Sequence, residues 1–259
     1  MHRCLISIVL LILLSLPSVL RAETGGLPDV PIVTAPEVKE MLDSGLPMQL
    51  INALSPVEFE LQHIPGSTNI PANEVGTTPR LSTEDDRPKV FYCMGVKCDY
   101  SRYAVEAALK RGLKNIYWFR GGIPEWRQFG YPMWVNPDYL AIRVPKLGCR
   151  QILKQLKNPH LFVLDVRPPW LRSRQLFLPG STLIPMYALK KHLADIPKDR
   201  PLLLADATMR QSPIAARWLI HHGYDVVGVV RGGMQHADRR GCPVVAQPAR
   251  QVVKWEGGR

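Results

Sequence analysis

The chain has 259 residues, 46% of them hydrophobic, with 33 Lys+Arg against 22 Asp+Glu for a formal net charge of +11. That apolar content excludes a wholly disordered chain, and the length is enough for two ordinary domains. The cationic surplus is uneven: residues 30–137 hold 11 basic against 12 acidic side chains, and residues 138–259 hold 20 against 8.

Met1-His2-Arg3 is a short basic start, Cys4 to Leu16 is almost unbroken Leu, Ile and Val, and Pro17-Ser18 breaks the run before small Ala22. This pattern predicts a cleavable signal peptide over 1–22 rather than an uncleaved anchor, and so export, most simply to a bacterial periplasm. No later segment is apolar for long enough to predict a membrane span. Cleavage leaves Cys93, Cys98, Cys149 and Cys242 in an oxidising compartment.

Residues 23–29 read as a polar leader. Ile32-Val33-Thr34 then reads as an edge strand, a helix follows from about Pro36 to Leu42, and Met48 to Asn52 is a central strand. Val57 to His63 reads as a short helix with Phe59 and Leu61 inward, and Gly76 to Lys89 as a polar connection. Lys89 to Tyr92 is a β-branched and aromatic run, the composition of a buried strand. Arg102 to Arg111 is helix-like and stops at Gly112. Ile116 to Phe119 is a last buried strand, and Gly121 to Phe129 a closing helix. Strands alternating with helices predict an α/β fold with a mostly parallel sheet covered on both faces, whose ligands bind beyond the carboxyl ends of the strands.

The loop Cys93-Met94-Gly95-Val96-Lys97-Cys98-Asp99-Tyr100-Ser101 occupies that place. Its backbone N–H groups, those of the following helix and the cation of Lys97 are expected to favour a Cys93 thiolate. A buried cysteine at a strand end is often only a small hydrophobe. Apolar packing alone, however, does not call for a glycine, a lysine and a second cysteine within five residues.

The second half repeats the first in order. Leu161 to Asp165 corresponds to Met48 to Asn52, Phe177 to Pro185 to the segment from His63, Pro201 to Ala205 to the strand before Cys93, and Ser212 to Gly223 to its helix. Arg231-Gly232-Gly233 and Gly241-Cys242-Pro243 repeat Arg120-Gly121-Gly122 and Gly130-Tyr131-Pro132, with the same spacing. The boundary falls near Asn136 to Tyr139.

Three segments carry a family resemblance: the Cys93 loop, His63-Ile64-Pro65-Gly66-Ser67-Thr68-Asn69-Ile70-Pro71 upstream, and Gly121 to Trp126 with Gly130-Tyr131-Pro132 downstream. Together they resemble the rhodanese-like sulfurtransferase domain. The resemblance implies two tandem rhodanese-like domains, over 30–137 and 138–248, with a tail of 249–259 outside them. It further implies that Cys93 is the nucleophile and carries sulfane sulfur as a persulfide. A small thiosulfate-like anion is then the donor and a thiol the acceptor, with no metal or organic cofactor.

Each half departs from the family pattern. In the second, Ser212 closes the loop, but Asp206 stands where the cysteine should be, with Met209 for the glycine and Gln211 for the arginine; this half is expected to be catalytically silent. It keeps Asp165-Val166-Arg167, the family's Asp-x-Arg, where the first half has Asn52-Ala53-Leu54. In the first, Cys93 and Ser101 are eight apart rather than six, and only Lys97 supplies charge. Longer loops are associated with phosphatase-type members, but the arginine of that pattern is absent.

Cys98 has three readings: a resolving thiol for Cys93, a helix-start residue without chemistry, or, least favoured, a metal ligand. The alternative to an enzyme is a non-catalytic binding or thiol-redox module with a Cys93–Cys98 disulfide. His63 reads as part of a structural turn rather than a general base. The basic second half is either a solvated surface or a means of attracting anions, an acidic partner protein or a membrane surface; the scattered tryptophans give no sign of nucleic-acid binding. In a rhodanese-like sheet the first edge strand and the closing segment run near one another, so the resemblance implies that Cys149, at the start of the second domain's first helix after an edge strand Ala141 to Val144, pairs with Cys242; the alternative is two separate buried thiols.

Overall fold

The structure, a computed structural model, describes residue 27, residues 30–168 and residues 176–253. The signal peptide expected over 1–22, the leader apart from residue 27, and residues 254–259 of the tail lie outside the described residues.

The first half begins its regular structure where Thr34 and Glu37 form a capping box, the Thr34 N–H donating to the Glu37 carboxylate at 2.6 Å. Helix α1 (Ala35–Asp43) follows, then β1 (Gln49–Asn52) and α2 (Pro56–Leu61), the latter capped by Ser55 and Glu58 in the same way. Next come β2 (Gln62–His63), β3 (Thr68–Asn69), β4 (Lys89–Tyr92), α3 (Tyr100–Lys110), β5 (Ile116–Phe119), α4 (Gly122–Gln128) and β6 (Trp134–Val135). Strands β3, β1, β4 and β5 form a parallel sheet in that order. Alternate residues of a pleated strand face opposite ways, so one strand feeds two cores. Leu50, Val90, Tyr92 and Phe119 pack with Ala35 and Val38 of α1 and Ile123 and Trp126 of α4. Ile51, Phe91 and Trp118 are buried on the other face, which α3 covers with Ala104, Val105 and Ala108.

The second half repeats the plan through α5 (Pro137–Ala141), β7 (Lys146–Leu147), α6 (Cys149–Gln155), β8 (Phe162–Asp165), β9 (Thr182–Leu183), β10 (Leu202–Ala205), α7 (Ser212–His221), β11 (Val226–Val230), α8 (Gly233–Arg239) and β12 (Arg250–Gln251). Its parallel sheet runs β12-β9-β8-β10-β11-β7. Along β10, Leu202 and Leu204 join the core under α7, while Leu203 and Ala205 join the core under α6 and α8.

The sequence expectations are corrected in four places. Only Ile32 makes a bridge, to Trp118, because Thr34 is already the cap of α1 and leaves no length for an edge strand. Helix α2 ends at Leu61, since Gln62 and His63 pair antiparallel with Val135 and Trp134; Val57 and Leu61 are its buried apolar residues, and Phe59 stacks on the His63 ring. The strand expected over Ala141 to Val144 is not formed: α5, which Pro137 starts and Asn136 caps by accepting from Asp138 N–H, takes Ala141 as its last residue, residues 142–145 are neither helix nor strand, and strand β7 begins only after Pro145. The tail is not wholly outside the second domain: β12 pairs with β9 and extends the sheet.

The halves meet through α2. Val57 and Leu61 enter the core built by α7, and the Glu60 carboxylate accepts from Trp218 Nε1 at 2.7 Å and from Lys190 Nζ at 2.5 Å. Among the described residues no helix is long and apolar enough to cross a membrane.

Candidate active site

Cys93 follows directly from β4, and α3 starts seven residues later, so the intervening loop sits at the carboxyl edge of the sheet. The Cys98 N–H donates to the Gly95 carbonyl at 2.9 Å, a turn that folds the loop back over the sulfur. The result is an enclosed sulfur: Cys93 is 0% exposed, whereas Val96 at the loop tip is 67% exposed.

The downstream glycine pair is what lets the loop sit so low. Gly122 has φ +54°, and a Cβ there would lie 2.1 Å from the Cys93 carbonyl oxygen. Gly95 has φ +95°, with its missing Cβ 2.9 Å from the Gly121 carbonyl. The Ile123 N–H then donates to the Cys93 carbonyl at 3.1 Å, locking the cysteine's backbone to α4.

Ser101, in the first turn of α3, places its Oγ 3.1 Å from Cys93 Sγ. The same oxygen accepts from Trp118 Nε1 at 2.9 Å, which leaves the hydroxyl proton directed at the sulfur. Burial works against ionisation of Cys93 and is the largest single influence on it. Hydrogen bonds from the Cys98 thiol, from Ser101 through both side chain and backbone, and from the Gly95 N–H outweigh it together and hold the Cys93 pKa below the ordinary thiol value. Cys98 is pushed the other way, first by its hydrogen bond to Cys93 and then by burial and by the charge on Cys93. Both are free thiols, so the disulfide of the non-catalytic alternative is not formed in this structure.

Not every residue of the expected loop takes the expected part. Lys97 is exposed, and Cys93 is held down by the hydrogen bonds above rather than by a neighbouring cation. Met94 reaches outward, its sulfur 3.9 Å from Gln62 Nε2, and Gln62 is itself fixed by Arg127 at 2.6 Å. Cys98 lies just before Asp99, the cap position of α3, and Asp99 makes no side-chain cap. Tyr100 points across to the second half, where its hydroxyl accepts from Gln211 Nε2 at 3.2 Å. His63 is sandwiched between Phe59 and Trp134, with ring centroids 3.9 Å and 4.6 Å away, and its Nδ1 lies 2.9 Å from the Phe59 carbonyl.

Trp118, Gln62 and Arg127 are the site's supports that sequence reasoning missed. Trp118 sits on a strand read only as core, and nothing in its spacing from Ser101 indicates that its indole N–H meets that hydroxyl.

In the second half the corresponding loop holds its own anion. The Asp206 carboxylate accepts from the N–H groups of Met209 at 2.6 Å, Gln211 at 2.6 Å and Ser212 at 3.2 Å, and lies 3.1 Å from Ser212 Oγ. The donors that would stabilise a bound anion are thus occupied from within. Met209 adopts φ +60°, a left-handed conformation that costs a non-glycine residue roughly 1 kcal/mol or more and that the carboxylate contacts offset. Gly233 repeats the close approach of Gly122: a Cβ there would lie 2.4 Å from Thr208 N. Asp165 and Arg167 form a buried, doubly bonded ion pair, Nε to Oδ1 at 2.9 Å and a terminal guanidinium nitrogen to Oδ2 at 2.6 Å. At the place of Asp165 the first half has Asn52, whose Oδ1 accepts from Leu54 N–H at 3.0 Å, as Asp165 does from Arg167 N–H. Cys149, the first residue of α6, is bonded to Cys242, with the Cα atoms 5.2 Å apart.

A family model, the rhodanese-like domain, matches residues 34–129 and again 149–237. The chain is 34% identical over 96 residues to the "Probable adenylyltransferase/sulfurtransferase MoeZ" of Mycobacterium tuberculosis, a match that takes in 36% of this chain and 24% of that protein. It is 30% identical over 86 residues to a sulfurtransferase of Allochromatium vinosum, covering 33% of this chain and 79% of that one. The chain thus spans about a quarter of the length of the first of these relatives. Among solved structures, a thiosulfate sulfurtransferase from Pseudomonas aeruginosa aligns over 86% of this chain and 45% of its own, with 17% identity and a TM-score of 0.41. A rhodanese-related protein from Thermoplasma volcanium aligns over 39% of this chain and 98% of its own, with 25% identity and a TM-score of 0.36. Two matched segments covering more than half of the residues, each built around a parallel sheet with its loop at the carboxyl edge, make this chain a tandem member of the rhodanese-like domain family.

Proposed function

We propose that the chain is a sulfurtransferase whose nucleophile is Cys93. The observation that carries this reading is the ring of hydrogen bonds that lowers the Cys93 pKa at the start of α3 in spite of complete burial. In the proposed reaction the thiolate attacks the outer sulfur of a thiosulfate-like donor, the donor's S–S bond breaks, and sulfite leaves with the electron pair. The extra sulfur stays on Cys93 as a persulfide, held by the same N–H and hydroxyl donors. Attack by a thiolate acceptor on the outer sulfur returns Cys93 to its starting state. Asp206 leaves the second half without a nucleophile, and the cationic surplus of that half favours arrival of anionic donors.

After thiosulfate treatment, mass spectrometry is expected to find one added sulfur atom on the Cys93 peptide, and Cys93→Ser is expected to abolish both the adduct and turnover. Sulfur transfer that persists in Cys93→Ser refutes the proposal. The proposal includes export with loss of residues 1–22, tested by N-terminal sequencing of protein recovered from the periplasm; an intact Met1 there rejects it.

A further inference from the structure

Cys93 is fully enclosed, so an external thiol must open the loop before it can reach a sulfur bound there. One thiol needs no such opening. The turn from Gly95 to Cys98 brings the Cys98 carbonyl to 3.3 Å from Cys93 Sγ, and the Cys98 side chain packs against the core cluster that contains Cys93 while remaining partly open to solvent. The two loops differ here in length: Cys93 and Ser101 are eight residues apart, Asp206 and Ser212 six. The longer loop is the one that carries the second thiol.

We propose that Cys98 resolves the Cys93 persulfide by attacking Cys93 Sγ, forming a Cys93–Cys98 disulfide and expelling the sulfane sulfur as sulfide. This rests on the sulfurtransferase reading above and gives it a product. A bond forms between the two cysteine sulfurs, the bond from Cys93 to the sulfane sulfur breaks, and hydrosulfide leaves with the electron pair and the proton that Cys98 gives up. The sulfane sulfur is reduced, and the two cysteines are oxidised to the disulfide. An external dithiol restores the pair by exchange at the partly exposed Cys98 sulfur, becoming a disulfide itself.

The electrostatics order these events. Before loading, the Cys93 thiolate takes the Cys98 hydrogen bond and keeps Cys98 protonated, so Cys98 does not compete for the donor. Once Cys93 is bonded to a second sulfur, the negative charge moves to the outer atom. Cys98 is then released to ionise beside an S–S bond.

The test uses the full chain, reduced and freed of reductant, then given one equivalent of thiosulfate and no acceptor thiol. The wild-type protein is expected to release sulfide, and its peptide containing Cys93 and Cys98 to lose two hydrogens. Cys98→Ser is expected to keep the added sulfur on Cys93 and release no sulfide; Cys98→Ala, which also removes the hydrogen bond that Cys98 gives Cys93, is expected to load more slowly but likewise to keep the sulfur and release no sulfide. Equal sulfide release from the Cys98 variants overturns the proposal. So does a wild-type adduct that persists on Cys93, or moves to Cys98, without sulfide. Failure of every variant to acquire sulfur overturns this proposal and the sulfurtransferase reading together, and is distinguished from the other outcomes by the absence of any adduct.

Discussion

Ser101→Ala tests the electrostatic account of Cys93 most directly. The Ser101 hydroxyl lies 3.1 Å from Cys93 Sγ and takes the Trp118 indole N–H at 2.9 Å. A hydrogen bond to a charged group contributes roughly 1.5–3 kcal/mol, which is about a ten- to hundredfold change in an equilibrium constant. The thiolate-to-thiol ratio at a fixed pH is therefore expected to fall by about that factor, moving the Cys93 titration to higher pH. Thiolate ultraviolet absorbance against pH reads this without a reagent having to enter the loop. Cys98 is held protonated, so the first of the pair's two steps reports mainly on Cys93.

The variant also leaves the buried Trp118 N–H without its acceptor, a separate loss of about 1–3 kcal/mol in stability. Trp118→Phe supplies the contrast, since it removes that donor but keeps the Ser101 hydroxyl beside the sulfur. Because the folded state lowers the Cys93 pKa, the resulting stabilisation is present above the unfolded thiol pKa and is lost as pH falls through the folded value. The stability gap between wild type and Ser101→Ala is thus expected to widen with rising pH. An unmoved first titration step in a folded Ser101→Ala protein refutes the reasoning.

Asp206→Ala removes the acceptor of three backbone N–H groups and is expected to destabilise the protein by about 2–4 kcal/mol in urea unfolding, with Asp206→Asn costing less; equal stability of all three would show that water serves those donors as well. Replacing Cys149 and Cys242 together by serine opens a cross-link between positions 93 residues apart, and chain entropy sets the expected loss at about 3–5 kcal/mol, read as a lower melting temperature. Glu58 is buried, and burial raises its pKa against the two hydrogen bonds from Ser55. Its contribution is therefore full below the unfolded carboxyl pKa and declines as pH rises through the folded one, so Glu58→Gln is expected to gain stability relative to the parent as the solution is made neutral; parallel stability curves against pH would contradict this.

Sequence by itself determined the repeat, the alternation of strand and helix, and the place of Cys93 at the carboxyl edge of a parallel sheet. These are local properties: strand composition, glycine punctuation and fixed spacing survive without knowledge of distant contacts. It also marked Asp206 as the odd residue of the second loop, because the two halves align through Ser101 and Ser212. What Asp206 does was decided only by tertiary structure, since a carboxylate that would turn anions away in an open loop here fills the N–H groups that would have received them. The same is true of the source of the Cys93 pKa. Lys97 is near in sequence but exposed, while the indole that directs the Ser101 hydroxyl comes from β5, and the Tyr100 hydroxyl next to that serine is met by Gln211 from the other half. Side-chain direction at a loop depends on what packs behind it, and residues far apart along the chain supply that packing; for the same reason the Cys149–Cys242 pair was an inference from topology until the fold brought the two Cα atoms to 5.2 Å.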